Sequence, residues 1–432
     1  MYREFKSPFL VQVELTTKCN HRCIHCYNHW REKPLGHKTL SETEVEVIIN
    51  NLSNSDIPSF LITGGEPMLY PNLMLKAFEL GKNKGLKCSL NSNLTIVTPE
   101  IASELKRLEV GVLTSILSFD DKLHDNITSL NGSFEKLIEG IKILQEYKVP
   151  VGVNMVVMQQ NIDQVYETGK FVYDLGVKRF RATKVHPAQG TSCFDNIKLP
   201  PEKIAIIFDD LIKLKNDFGI KVDTLTTYPV CLLKNLELYG QFITKRNCSA
   251  GKTGCTIGAD GQVRPCGHSD EVYGNAIEES ILEIWPRLKK WRDGSLLPDE
   301  CKKCKSFSEC GGGCRMDCKF YGKIDSMDPY ATGNDFDLIP QSKEKLQLID
   351  PKKKLVVNPL LVFRKEKCEV VLIIKGNVVA IVTNDSAKLL VDLKAKKFTL
   401  NDVFVEYKVD ENFTHIFFSN LYKKNIICSS LE

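Results

Sequence analysis

The sequence predicts an α/β protein in three parts: a partial (β/α)6 barrel, a cysteine-rich domain and a small winged-helix-like β3α3 domain. Three observations lead there. Over residues 1–240, short apolar runs alternate with amphipathic helical patterns, the mark of parallel strands joined by crossover helices. Over 241–335 that periodicity fades, and cysteine and glycine dominate. After a linker over 336–354, a compact module over 355–432 reads as a hairpin followed by helices.

The strand candidates of the first part are Leu10–Leu15, Phe60–Thr63, Cys88–Leu90, Leu113–Phe119, Val151–Val157 and Phe180–Thr183. A helical pattern follows each. One opens with Ser41 and Glu44 spaced as a capping box, then sets Val45, Ile48, Ile49 and Leu52 on one face. A second carries Phe134, Leu137, Ile138, Ile141 and Leu144, and a third Ile204, Ile207, Phe208, Leu211 and Ile212. Units of this kind in a row give a parallel sheet whose reactive edge is the C-terminal end of its strands. In the last part, Glu369–Lys375 and Val378–Val382 flank Gly376-Asn377, a two-residue hairpin signal. Helical patterns follow at Ala387–Leu393, Leu400–Tyr407 and Ile416–Asn425.

Composition narrows the function. A formal net charge of +4 over 432 residues is too modest to argue for a nucleic-acid partner. No run reaches the roughly 18 apolar residues of a membrane helix, and the charged N-terminus has no apolar signal segment. A cytoplasmic protein is expected. Without export, the clustered cysteines among the 16 in the chain read as metal ligands rather than disulfides.

The first cluster is Cys19-Asn-His-Arg-Cys23-Ile-His-Cys26, at the end of the first strand. Three thiolates on a four-iron, four-sulfur cluster leave one iron free to chelate a substrate or cofactor. The rival is zinc, which prefers four closed ligands, with His21, His25 or His29 as the fourth. The Cys-x3-Cys-x2-Cys loop resembles the signature of the radical S-adenosylmethionine (SAM) superfamily, which follows the first strand of a partial TIM-like barrel. Gly64-Gly65-Glu66-Pro67 ends the second strand, in the place of that family's methionine-binding motif. Glycines expose backbone groups there, and a carboxylate can meet the methionine ammonium. The resemblance further implies SAM contacts at Asn93, Ser118 with Asp120, and Asn154. Tyr27 and Trp30 are expected to shield the cluster, stack on adenine or pack beneath the loop. The chemistry implied is one-electron cleavage of SAM to a 5′-deoxyadenosyl radical that abstracts hydrogen from substrate. A low-potential donor such as flavodoxin or ferredoxin would supply the electron.

Eight further cysteines lie between Cys248 and Cys318, enough for two four-iron clusters. Their order, with Gly261-x4-Cys266 and Cys301-x2-Cys304-x5-Cys310-x3-Cys314, resembles the SPASM domain of peptide-modifying radical SAM enzymes. That resemblance implies one auxiliary [4Fe-4S] cluster on Cys248, Cys255, Cys266 and Cys314, and a second on Cys301, Cys304 and Cys310 with one later cysteine. The last ligand usually follows an Asp-Pro well downstream, but Asp328-Pro329-Tyr330-Ala331 holds no cysteine. Cys318 is the nearby candidate, or the cluster keeps an open iron. Of the remaining Cys88, Cys193, Cys231, Cys368 and Cys428, most read as buried apolar thiols. Cys193, in the loop after the sixth strand, is a candidate hydrogen donor if the reaction is an epimerisation.

The C-terminal module resembles the PqqD-like peptide-binding domain, or RiPP recognition element, which binds a leader peptide as an added edge strand. Its cues are the two strands, the stretch from Val382 to Leu390, the helix start Phe398–Val403 and the final Phe418–Leu421. The resemblances together imply a maturase of a ribosomally made peptide, making a crosslink, a thioether or an epimer. The rivals are a radical SAM enzyme on a non-peptide substrate, such as a heme-pathway decarboxylase, and a zinc-stabilised DNA-binding regulator.

Overall fold

A central strand, β1 (Leu10–Thr16), organises the larger part of the molecule. It pairs in parallel with β2 (Ser59–Gly64) on one side and, also in parallel, with β8 (Gly254–Ile257) on the other. The computed structural model describes residues 2–31, 36–187, 194–233, 235–244, 246–333 and 346–430. They fall into two compact units, Met1–Lys84 with Cys88–Ile339, and Pro340–Glu432 with Gly85–Lys87.

In the first unit, α1 (Glu42–Asn54) lies between β1 and β2. Its predicted capping box forms: Glu44 N–H donates to Ser41 Oγ at 3.2 Å, and Ser41 N–H donates to Glu44 Oε2 at 2.7 Å. Its buried face is Val45, Ile48, Ile49 and Leu52, as the pattern requires. The chain continues through α2 (Pro71–Asn83), β3 (Lys87–Asn91), α3 (Pro99–Arg107), β4 (Gly111–Ser115), α4 (Asp121–Thr128), α5 (Ser133–Glu146), β5 (Val151–Val157), α6 (Val165–Asp174), β6 (Arg179–Lys184), α7 (Ile204–Phe218), β7 (Lys221–Asp223) and α8 (Leu236–Ile243). With β8 and β9 (Val263–Arg264), these strands make a nine-stranded sheet in the order β7-β6-β5-β4-β3-β2-β1-β8-β9. Burial along β3 and β4 alternates between buried residues and half-buried or exposed ones, whereas β5 buries five of its seven residues.

Two departures from the sequence reading matter. The fourth strand starts earlier than expected and stops at Ser115. Beyond it, Leu117 N–H goes to His124 Nδ1, Phe119 N–H to Thr168 Oγ1 and Asp120 N–H to Ser118 Oγ. With its amides taken by side chains, the segment has left the ladder. The sheet also runs on past residue 240, because β8 docks on β1 with Leu10 opposite Gly254 and Val11 opposite Cys255. After β9 come short helical turns, α9 (Ile281–Ile284), α10 (Asp299–Lys302) and α11 (Phe307–Cys310), and then α12 (Arg315–Tyr321).

The second unit pairs β10 (Leu355–Val357) with β14 (Ile427–Ser429), and builds an antiparallel meander from β11 (Leu361–Lys365), β12 (Glu369–Ile374) and β13 (Asn377–Thr383). The hairpin turn sits one residue earlier than the sequence signal suggests. Lys375 and Gly376 both have positive φ, 47° and 69°, as a type I′ turn demands, and Asn377 already pairs with Ile374. Helices α13 (Asn384–Leu393), α14 (Leu400–Tyr407) and α15 (Glu411–Lys423) complete it, around a core that includes Leu372, Leu390, Leu400, Val403, Phe418 and Ile427. Among the described residues, no helix is long and apolar enough to cross a membrane.

The tightest backbone approach in the first unit joins the tips of β1 and β2. Gly65 N–H donates to Thr16 O at 2.7 Å and Glu66 N–H to Lys18 O at 2.8 Å. A Cβ on Gly65 would stand 2.0 Å from Lys18 O. Gly65→Ala must therefore displace the loop after β1. It is expected to cost about 1–3 kcal/mol or more, read as a lower melting temperature together with a reduced iron content.

Candidate active site

The loop that leaves β1 carries Cys19, Cys23 and Cys26 over the C-terminal edge of the sheet. The three thiols line one cavity of about 200 Å³ together with Gly64, Gly65, Glu66 and Asn93. The ends of β1, β2 and β3 thus bring together the residues on which the SAM resemblance was drawn. Side-chain amides fix the loop in place. Asn28 Nδ2 donates to Gly64 O at 2.9 Å, and Asn93 Nδ2 donates to Asn20 Oδ1 at 2.8 Å. Thr95 closes the link: its hydroxyl accepts from Asn20 Nδ2 at 2.9 Å and donates to Asn93 Oδ1 at 2.8 Å. Asn93 therefore anchors the cysteine loop as well as facing the cavity.

Glu66 is buried, and all its partners are neutral. Oε1 accepts from Met68 N–H at 3.0 Å and Ser92 Oγ at 2.7 Å, and Oε2 accepts from Asn93 N–H at 2.8 Å. Burial raises its pKa, and among the described residues no cation pairs with it. The thiols also resist ionisation: burial pushes Cys23 up to about 12, with the sulfurs of Cys26 and Cys19 adding to the rise. His21 and His25 are each lowered to about 4 by burial and stand neutral beside them. Three partly buried cysteines and a buried carboxylate with no cation paired to it among the described residues are a donor set that suits an iron–sulfur cluster and an ammonium.

The remaining expected contacts are distributed differently. Ser118 is buried, but its hydroxyl donates to Gln164 Oε1 at 2.5 Å and it is not among the residues lining the cavity. Ser115, at the end of β4, lines it instead, as do Asn91 and Ser92. Asn154 accepts from Thr183 Oγ1 at 2.7 Å, one rung below Val156, the residue of β5 that reaches the cavity. Cys193 lies outside the described residues. Tyr27 and Trp30 both line the cavity. Trp30 Nε1 donates to Glu14 Oε2 at 3.1 Å, and Tyr27 stacks on His268 with ring centroids 4.4 Å apart.

Two further groups of thiols lie in the cysteine-rich region. Cys255 sits on β8, and Cys266 follows β9. Cys248 is near enough to Cys266 and to Cys314, at the start of α12, to raise both thiol pKa values beyond the effect of burial. Cys301, Cys304 and Cys310 line a second cavity, of about 130 Å³, and Cys231 lines it with them. Cys318 does not. It is buried on α12 one turn after Cys314, where its thiol donates to Cys314 O at 3.2 Å, so its own helix occupies it. Nothing in the local sequence singles out Cys231, because its neighbours in this cavity come from a distant part of the chain.

Residues 13–172 match the family model of the Radical SAM superfamily, and residues 248–305 match SPASM, an iron–sulfur cluster-binding domain. The protein is a radical SAM/SPASM enzyme. An AdoMet-dependent heme synthase of Methanosarcina barkeri is 26% identical over 324 residues, covering 72% of this chain and 91% of that protein. The mycofactocin maturase MftC of Mycolicibacterium smegmatis is 25% identical over 339 residues, covering 76% and 83%. Among solved structures, Streptococcus suis SuiB bound to S-adenosylmethionine is similar at a TM-score of 0.62 and 18% identity, covering 76% of this chain and 78% of that one. SuiB bound to its precursor peptide SuiA reaches the same TM-score, 0.62, over 76% of each chain. At that identity the likeness speaks for the fold.

A radical SAM domain binds a four-iron, four-sulfur cluster and SAM, and a SPASM domain binds additional clusters. In this radical SAM/SPASM enzyme two buried ion pairs join the corresponding regions. Arg264 on β9 lies 2.6 Å from Glu14 on β1, both 2% exposed, and also donates to His29 Nδ1 and Ser269 O. Lys184 at the end of β6 pairs with Asp317 on α12, each 1% exposed, and His186 Nδ1 bonds the same carboxylate at 2.7 Å. Burial opposes charge on Asp317, but His186 and Lys184 outweigh it and hold the carboxyl below its ordinary range. Nearby Asp328 is pushed up to about 6, by burial first and then by the charge of Asp317. The line of rings from Tyr27 through His268 to His186, 5.3 Å apart in its second step, runs from the cavity lined by Cys19, Cys23 and Cys26 to this group of charged residues. No sequence pattern flagged Lys184, His186 or Asp317, which come from opposite ends of the first unit.

Two outcomes follow from these charges. Glu66→Gln removes a charged partner worth roughly 1.5–3 kcal/mol, so SAM affinity measured by calorimetry is expected to fall about ten- to a hundred-fold. An unchanged dissociation constant would refute the assignment. Asp317→Asn leaves Lys184 buried without a counter-charge and is expected to cost about 3–5 kcal/mol, read from denaturant unfolding.

Proposed function

We propose that this radical SAM/SPASM enzyme modifies a ribosomally made peptide held by its leader segment. The observation that carries the reading is the second unit, where a three-stranded meander is followed by three helices, the layout of a PqqD-like domain. β13 is an edge strand of that meander, the position at which an added strand pairs, and Val378 on it is exposed. The relative named a maturase and the fold shared with peptide-bound SuiB support the same reading.

In the first unit, Cys19, Cys23 and Cys26 would hold the cluster and leave one iron open. When bound, the cluster and SAM supply the one-electron chemistry that yields a hydrogen-abstracting radical. The residues of the chain do the rest. Glu66 receives the methionine ammonium, and Gly64 and Gly65 present backbone groups at the tip of β2. Asn20, Asn28 and Asn93 keep the cysteine loop against the sheet. Tyr27 and Trp30 wall the cavity against water. Cys248, Cys255, Cys266 and Cys314 would hold a first auxiliary cluster. A flavodoxin or ferredoxin would deliver electrons, which places the enzyme in a reducing compartment, the cytoplasm. Cys193 stays a candidate hydrogen donor for an epimerisation.

A second reading, a porphyrin-type substrate, is favoured by the relatives named heme synthase. Co-expression with peptides encoded beside the gene separates the two. The full chain is expected to change a peptide, by loss of a hydrogen pair or by epimerisation under deuterated solvent. A chain cut before Leu355 is expected to cleave SAM normally, fail on dilute precursor and partly recover on concentrated precursor. Full-rate modification of dilute precursor by the cut chain would sink the leader-binding idea. Turnover of an iron porphyrin with no peptide modified would favour the second reading.

A further inference from the structure

The pocket around Cys301, Cys304 and Cys310 contains a donor that the cysteine pattern does not predict. Cys231 lies in a short turn, Val230–Leu232, between β7 and α8, on the barrel side of the first unit. Its side chain lines the same cavity as the three cysteines of the SPASM region. Two contacts hold the turn there. Val230 N–H donates to Cys310 Sγ at 3.4 Å, and Thr332 Oγ1 donates to Cys231 O at 2.7 Å.

Among the described residues, the other places from which a fourth ligand could come offer no further thiol to this cavity. The segment after Asp328-Pro329 reaches the cavity with Ala331 and Gly333, which carry no donor. Cys318 is absent from the lining and is turned to its own helix. Glu300 belongs to the lining, but it is an exposed residue at the start of α10.

We infer that Cys231 is the fourth thiolate of the second auxiliary cluster, so that a loop of the barrel and the SPASM region share one iron–sulfur site. The inference rests on the cluster reading of Cys301, Cys304 and Cys310. On ligation the Cys231 thiol gives its proton to solvent, and its sulfur donates a lone pair to the iron that the other three leave open; no electron is transferred. With four thiolates the cluster has no vacant iron. It therefore serves electron transfer and does not chelate substrate.

The test uses the full chain with Cys19, Cys23 and Cys26 changed to Ala, so that only auxiliary iron is counted. That background is expected to hold about eight iron and eight sulfide per chain. Adding Cys231→Ala is expected to lower the count by about one to four iron and, on mild oxidation, to give the electron paramagnetic resonance signal of a three-iron cluster. Adding Cys231→Ser, a milder change that keeps a donor, is expected to retain the iron and shift the signal of the reduced cluster. Adding Cys318→Ala is expected to change neither iron nor spectrum. Unchanged iron and spectra in both Cys231 variants, or loss of a cluster in Cys318→Ala instead, would overturn the assignment of Cys231 and leave the cluster reading standing. A background protein without iron would overturn the cluster reading and the assignment with it.

Discussion

The site depends on how closely the tips of β1 and β2 can approach. Parallel pairing carries on beyond the last full rung, so that the backbone of Gly65 and Glu66 bonds to that of Thr16 and Lys18. That contact sets the distance between the cysteine loop and the carboxylate of Glu66. Only glycine fits at position 65, because the carbonyl of Lys18 stands where a side chain would begin. Gly64, with φ of +121°, turns the strand end so that Asn28 can hold its carbonyl. A buried thiol set and a buried carboxylate would repel one another if both were charged in an empty pocket. The scaffold holds them in place through neutral amides and hydroxyls, and leaves the compensation of charge to what binds.

The same economy recurs where the cysteine-rich region meets the sheet. Burying an arginine beside a glutamate, or a lysine beside an aspartate, yields little net stability once desolvation is counted. Such pairs do specify an arrangement. Arg264 pairs with the carboxylate of Glu14, and its three other contacts go to Gly267 O, Ser269 O and His29 Nδ1. Slipping β9 along the sheet would strand a guanidinium in an apolar layer. Lys184 and Asp317 lock α12, and with it Cys314, to the end of β6 in the same manner.

Much of this was legible in the sequence where the signal is local. The Cys19–Cys26 spacing, the Gly64-Gly65-Glu66 turn and the Ser41/Glu44 capping box lie within a few residues; the capping box forms as read, and the three cysteines and Glu66 come to line one cavity. The hydrophobic faces of α1 and α7 were likewise set by local periodicity. The reading failed where the deciding partner is distant. Ser118 looked like a strand end, but His124 and Thr168 draw the backbone out of the ladder three residues earlier. β8 and β9 are too short to show a period, and the pairing of β8 with β1 and of β9 with β8 is visible only in three dimensions. Lys184 and Asp317 are 133 residues apart, and neither residue type in its local setting announces a buried pair. Cys231 looked inert for the same reason.

The docking of β8 beside β1 also bears on how the chain is made. Leu10 waits for Gly254 before that edge of its strand is covered. At roughly 5–20 residues per second, synthesis of the intervening stretch takes on the order of tens of seconds. For that time an apolar strand with open amide and carbonyl groups is exposed on the nascent chain, together with three reduced thiols. A long-lived open edge of this kind is a template for wrong pairing. Early metal loading of the Cys19–Cys26 loop, or a chaperone resting on β1, would shield it until β8 emerges.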